Sequence, residues 1–78
     1  MNIVFEREFS RPGNDCMIEE MFGIVEMFNK YLAIHVTHYS GWMGDDYDKR
    51  SEFFDSESKA KKFLKECGLD YAEQHHGR

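Results

Sequence analysis

The first ten residues alternate between apolar and polar side chains. One side of the alternation carries Ile3, Phe5, Arg7 and Phe9, and the other carries Val4, Glu6 and Glu8. A period of two residues predicts a β-strand with one buried face, and Arg7 is the only charged residue on the apolar side. Residues 11–15 read Arg-Pro-Gly-Asn-Asp, a cluster of turn formers, so we expect the strand to end there.

Residues 16–28 fit two patterns. Met17, Met21, Ile24, Val25 and Phe28 are spaced like one face of a helix, whereas Met21, Gly23, Val25 and Met27 are spaced like one face of a strand. Glycine inside a helix costs about 1 kcal/mol relative to alanine, which favours the strand. A short helix over residues 15–22 stays open as the alternative.

A hairpin would accommodate both this segment and the next one. With Asn29-Lys30 as a two-residue turn, Met27 lies opposite Leu32 and Val25 opposite Ile34. The same register sorts the apolar residues of both segments onto one face, so we predict a hairpin from about Ile18 to Tyr39. Residues 40–48, with two glycines and three aspartates, are typical of a loop, and Lys49 to Phe54 would form the last strand.

The segment from Ser56 to Cys67 has the period of an amphipathic helix. Its apolar positions are Ala60, Phe63, Leu64 and Cys67, and Lys61, Lys62 and Lys65 lie on the opposite side. Asp55 or Ser56 is suited to cap its start, and Gly68 to form a left-handed cap after its end, with Leu69 folding back onto the last turn. Residues 70–78 lack a period, and we expect a frayed tail.

These elements predict a single α+β domain over residues 1–78. The expected fold is a three- to four-stranded antiparallel sheet with one C-terminal α-helix packed on one face. Seven Phe, four Tyr and one Trp supply large apolar surfaces for a core of this size. The segment MNIVFEREF resembles neither a signal peptide nor a membrane span, so we expect a cytoplasmic protein with no membrane partner.

Charge is distributed unevenly along the chain. Residues 1–58 contain twelve acids and five bases, and residues 59–78 contain five bases and three acids, within a formal net charge of −5. An acidic body is unsuited to direct contact with nucleic acid, because that affinity depends on Lys and Arg neutralising phosphates. It favours a protein partner with a basic surface.

No residue set predicts catalysis, a cofactor or a metal. His35 and His38 are three apart on a predicted strand and therefore point to opposite faces, and residues 45–48 lack the spacing of a calcium-binding loop. Cys67 lies on the apolar face of the predicted helix, and nothing in the sequence pairs Cys16 with a histidine. The glycines of the loop lack the lysine of a phosphate-binding motif. We expect a protein that is not an enzyme.

An aromatic and acidic loop is the best candidate for a binding site. Trp42, Met43 and Tyr47 are residue types enriched in the cores of interfaces, and they stand beside Asp45, Asp46 and Asp48. The further acids Glu19, Glu20 and Glu26 would extend the same partner-binding surface. The alternative is that Trp42 folds back onto the edge of the sheet as a lid.

In size, acidity and lack of catalytic motifs the chain is similar to small phage-encoded inhibitors, including anti-CRISPR proteins. This resemblance covers composition and architecture, matches no motif and transfers no residue. It implies an inhibitor that occupies a basic surface of a partner, such as one evolved to hold nucleic acid. The second hypothesis is a non-catalytic homodimer or larger oligomer that associates through an aromatic sheet face formed by Phe22, Phe28 and Tyr31.

Overall fold

The computed structural model describes residues 1–42 and 44–75. Four long strands are followed by two helices: β1 (Asn2–Gly13), β2 (Cys16–Met27), β3 (Lys30–Gly41), β4 (Gly44–Phe54), α1 (Glu57–Glu66) and α2 (Leu69–His75). The strands form one antiparallel sheet in the order β1-β2-β3-β4. The prediction of an α+β fold built on an antiparallel sheet is confirmed.

The central hairpin turns one residue earlier than predicted. Phe28 and Asn29 form the turn with φ values of 51° and 62°, and Met27 pairs with Lys30. Val25 consequently faces Leu32 rather than Ile34. Because the error in register amounts to two residues, the predicted division of side chains between the two faces survives.

The predicted loop over residues 40–48 is mostly strand. β3 continues to Gly41 and β4 begins at Gly44, whose φ of +122° suits glycine at the turn. The segment beginning at Cys16 is likewise a strand throughout, so the helical alternative for residues 15–22 is wrong. β3 pairs with β4 along its length, from the pair Tyr31–Phe54 to the pair Gly41–Gly44.

One face of the sheet, the helix face, packs against both helices. Its buried residues are Phe9, Phe22, Ile24, Ala33 and Thr37, and the helices contribute Ala60, Leu64, Leu69 and Ala72. The opposite face, which we call the open face, carries the alternate residues of each strand. No described helix packs on it.

Both ends of α1 follow the sequence prediction. The Ser56 side chain accepts a hydrogen bond from the Lys59 amide at 3.3 Å and caps the first turn. Gly68 adopts a φ of +107°, which only glycine reaches without strain, and its amide donates to the Lys65 carbonyl. Leu69 is then directed into the core, with 1% of its surface exposed.

The prediction of a single helix followed by a frayed tail is wrong for residues 70–75. These residues belong to α2, which begins directly after the Gly68 cap. Leu69 and Ala72, three residues apart, are both buried against the sheet and α1, so burial rather than propensity stabilises this short helix. Residues 76–78 lie outside the described part of the chain.

Candidate protein-binding surface

The sheet extends beyond the helices at one end. Along β4, α1 runs from Phe54, which packs on Phe63 with ring centroids 5.4 Å apart, to Arg50, whose guanidinium donates to Cys67 Sγ at 3.5 Å. β4 continues for six more residues to Gly44, and at about 3.4 Å per residue this adds roughly 20 Å. The row of Asp48 still contains buried Phe9 and Thr37 on the helix face, and beyond this row no described helix covers the far end of the sheet on either face.

This uncovered end carries five exposed carboxylates. We call it the acidic end and define it by Asp15, Glu19, Asp45, Asp46 and Asp48. Asp15 lies in the turn between β1 and β2, and Glu19 follows on β2, while the other three lie on the edge strand β4. Segments separated in sequence are thus brought together by strand pairing.

The alternation of β4 divides its acidic residues between the two faces. Asp45 and Tyr47 pair across from Ser40 and His38 on the open face, and Asp46 and Asp48 belong to the helix face. Asp46 also accepts a hydrogen bond from the Tyr47 amide at 3.0 Å. The negative charge consequently surrounds the edge of the sheet instead of forming one flat patch.

Two turns meet at the tip of the acidic end. A Cβ atom added to Gly41 would lie 2.8 Å from the Asp15 carbonyl oxygen, so glycine allows the β1–β2 turn to approach β3 closely. Trp42 follows in the next turn and is 80% exposed. The lid interpretation of Trp42 is therefore wrong. Met43, the neighbouring predicted site residue, lies outside the described residues.

His38 links Glu19 to the aromatic surface. Its Nδ1 lies 3.0 Å from Glu19 Oε1, and its ring stacks on Tyr47 with centroids 4.4 Å apart and planes 8° from parallel. A carboxylate only accepts, so Nδ1 carries the hydrogen of this bond. Nε2 is buried, has no hydrogen-bond partner among the described residues, and lies 3.6 Å from Asp45 Oδ1. His38 thereby joins Tyr47 to the Glu19 carboxylate on the open face, with Asp45 nearby.

Glu20 occupies a different position from its neighbour Glu19. It lies on the helix face, where Arg11 Nη1 donates to Oε1 at 2.8 Å and His35 Nε2 lies 3.0 Å from Oε2. His35 also stacks on Phe22, and the Glu20 and His35 side chains are only 13% and 12% exposed. Glu20 is therefore engaged within the protein and does not join the acidic end.

Glu26 lies at the other end of β2, away from the acidic end. Its carboxylate accepts a hydrogen bond of 3.5 Å from the Tyr31 hydroxyl. The negative charge of Glu26, followed by burial and the charge of Glu57, raises the pKa of Tyr31 above its usual value of 10.0. Of the three predicted flanking acids, only Glu19 adjoins the aspartates of β4.

The three residues predicted to form an oligomer face do not share a surface. Phe22 is fully buried in the core, and Tyr31 packs against that core from the helix face. Phe28 is 90% exposed, but it lies in the turn between β2 and β3. The helices cover the face that carries Phe22 and Tyr31, and the sequence pattern did not specify which of the two faces they would choose.

Within residues 1–42 and 44–75, no group of three or more His, Cys, Asp or Glu side chains is arranged to hold a metal ion. Both cysteines are unpaired thiols, and no described helix is long and apolar enough to cross a membrane. Asp15 and His38 are the members of the surface that sequence reasoning missed. Knowledge of the β3–β4 register would have identified His38, because this register pairs it with Tyr47.

Comparison of the chain with models of protein families, with curated proteins and with solved structures finds no match in any of the three.

Proposed function

We propose that the protein is a small acidic binding protein whose acidic end occupies a basic surface of a partner protein. The observation that carries this proposal is the convergence of five exposed carboxylates with exposed Trp42 and Tyr47 at one uncovered end of the sheet. The described ion pairs include none between an aspartate of β4 and a lysine or arginine, although Arg50 lies within electrostatic range of Asp48.

The two kinds of side chain have different roles in such a complex. Carboxylates steer a basic partner and set the orientation of docking, but exposed ion pairs add only about 0.2–1 kcal/mol each. Large aromatic side chains supply the buried area that keeps partners together. Trp42, 80% exposed at the tip, is suited to enter a pocket, while Asp45, Asp46 and Asp48 contact basic residues around it.

The chemistry also indicates what the partner's basic surface does. A carboxylate array repels phosphates, so the proposed ligand is a protein and not a nucleic acid. A basic surface that binds nucleic acid would accept the acidic end in place of phosphates. The protein would then act as an inhibitor by competition, which is consistent with the similarity to small phage-encoded inhibitors.

The test is affinity capture from host lysate with three forms of the protein. The acidic-end variant carries Asp45→Asn, Asp46→Asn and Asp48→Asn, and the control variant carries Glu52→Gln, Glu66→Gln and Glu73→Gln. Both lose three negative charges, but the control substitutions lie on exposed positions near the helices. Circular dichroism should confirm that all three forms are folded.

We expect wild type and the control to retain the same basic protein and the acidic-end variant to lose about tenfold or more of it. Raising the salt concentration from about 50 to 500 mM should release the partner, because the screening length falls severalfold. Equal capture by the two triple variants, or recovery of no basic protein, would contradict the proposal. A Trp42→Ala variant should weaken capture while leaving the salt dependence unchanged.

A further inference from the structure

The open face combines an apolar centre with charged edges. Its central rows, read across the sheet from β1 to β4, are Ile3–Val25–Leu32–Phe53, Glu6–Gly23–Ile34–Ser51 and Glu8–Met21–Val36–Lys49. Ile3 and Phe53 are 66% and 52% exposed, and the apolar residues between them are half-buried. Contiguous apolar surface of this kind marks an interaction site.

We propose that the open face binds the open face of a second copy of this chain, with the two-fold axis parallel to the strands. This symmetry places β1 of one copy opposite β4 of the other, and β2 opposite β3. Each row of one copy then lies opposite the same row of the other copy, running in the reverse direction. The proposal depends on the open face, which shares Glu19 with the acidic end, but the central rows that carry it lie outside the acidic end.

Charge complementarity selects this arrangement. Glu8 and Lys49 lie at opposite ends of one row, so the two-fold axis places Glu8 of each copy opposite Lys49 of the other. In the row toward the acidic end, Glu19 likewise comes to lie opposite His38 of the second copy. An axis running across the strands through this row would instead place Glu8 opposite Glu8 and Lys49 opposite Lys49, which is repulsive.

Shape complementarity follows from the same rows. Gly23 lies opposite Ile34 of the second copy; its neighbours bury it, and the missing side chain lowers the surface there. The monomer does not need glycine there, because an added Cβ would meet only Met21 Sδ at 3.4 Å and the Phe5 carbonyl oxygen at 3.7 Å. Met21 meets Val36, and Ile3 meets Phe53, in the neighbouring rows.

The available area suits a stable dimer. Four strands spaced about 4.8 Å apart and twelve residues long cover roughly 750 Å² on one face, and standard interfaces bury about 800 Å² per partner. Packed sheets cross at about 30°, so their corners diverge and the area in contact is smaller than the whole face. The parallel axis also places both acidic ends at the same end of the dimer.

Sedimentation equilibrium on the full chain tests the proposal. The wild-type protein, 9.3 kDa as a monomer, should approach twice that mass between about 5 and 200 µM. Gly23→Val should raise the surface opposite Ile34 and Ile34→Glu should bury a charge, and both should yield monomers. Phe28→Glu is the matched control, because Phe28 is exposed in a turn outside the open face.

Reversing the charges of Glu8 and Lys49, at the two edges of the open face, tests the direction of the two-fold axis. Glu8→Lys and Lys49→Glu, each alone, should weaken dimerisation by about tenfold or more, and the double variant should restore it. Both positions are exposed, so neither change threatens the fold. A monomeric wild type at 200 µM, a dimer that tolerates Ile34→Glu, or single and double exchanges with equal effects would overturn the proposal.

Discussion

The two faces of the sheet are made by the same strands but reach different degrees of burial. On the helix face, Phe22 and Ile24 are fully buried under α1 and α2. On the open face, Ile3 and Phe53 stay more than half exposed although their neighbours are also apolar. A sheet meant to face water on one side alternates apolar with polar residues, so apolar residues on both sides indicate a second covering layer.

The largest expected effect comes from breaking the helix face. Leu64 is fully buried, and Leu64→Ala should lower the free energy of unfolding by about 2–5 kcal/mol. Because small domains are marginally stable, this loss should leave part of the protein unfolded near room temperature. Urea titration followed by circular dichroism measures the change.

The matched variant on the open face is Leu32→Ala. At about 1 µM, where we expect a monomer, Leu32→Ala should lower the free energy of unfolding clearly less than Leu64→Ala, because Leu32 is only half-buried. At about 200 µM the loss of unfolding free energy caused by Leu32→Ala should be larger, since dissociation of the dimer is then coupled to unfolding. Equal losses of unfolding free energy for the two variants at low concentration would contradict the difference in burial between the two faces.

A smaller effect, on the pKa of one side chain, is expected for the pair of Glu26 and Tyr31 at the border of the helix face. Glu26→Gln removes the main cause of the raised pKa of Tyr31, so that pKa should fall toward 10.0. Since the folded pKa is raised, the associated stability is fully present below pH 10 and is lost as pH rises through the folded value.

Titration of the Tyr31 ring signals by NMR measures this pKa. Glu66→Gln, at an exposed position on α1, serves as the control. An unchanged pKa in the Glu26→Gln variant would show that the carboxylate is not the cause.

Much of the fold could be predicted because its signals are local. The period of α1, the Ser56 cap and the Gly68 cap each depend on a few adjacent residues, and all three are confirmed. The hairpin register was wrong because Asn29 favours a left-handed conformation, whereas the turn needs one at Phe28 as well. Phenylalanine carries no sequence signal for that conformation.

The acidic surface was harder to predict because β4 is an edge strand. The sequence predicted Lys49 to Phe54 as a strand but missed the first half of β4, because residues 44–48 are all exposed and Gly44 with three aspartates is typical of a loop. Charged side chains on an edge strand also discourage pairing with other sheets. The composition of the site was therefore predictable, whereas its placement on both faces depended on long-range pairing.

The most direct test of the central claim, that the open face is the second buried surface of the protein, is a dilution series followed by NMR. Amide and methyl shifts of the wild-type chain would be compared at about 20 and 500 µM. The account predicts concentration-dependent shifts at Met21, Val25, Ile34 and Val36, with Ala60 and Leu64 unchanged. Shifts confined to the helices or the acidic end, or no shifts at all, would contradict it.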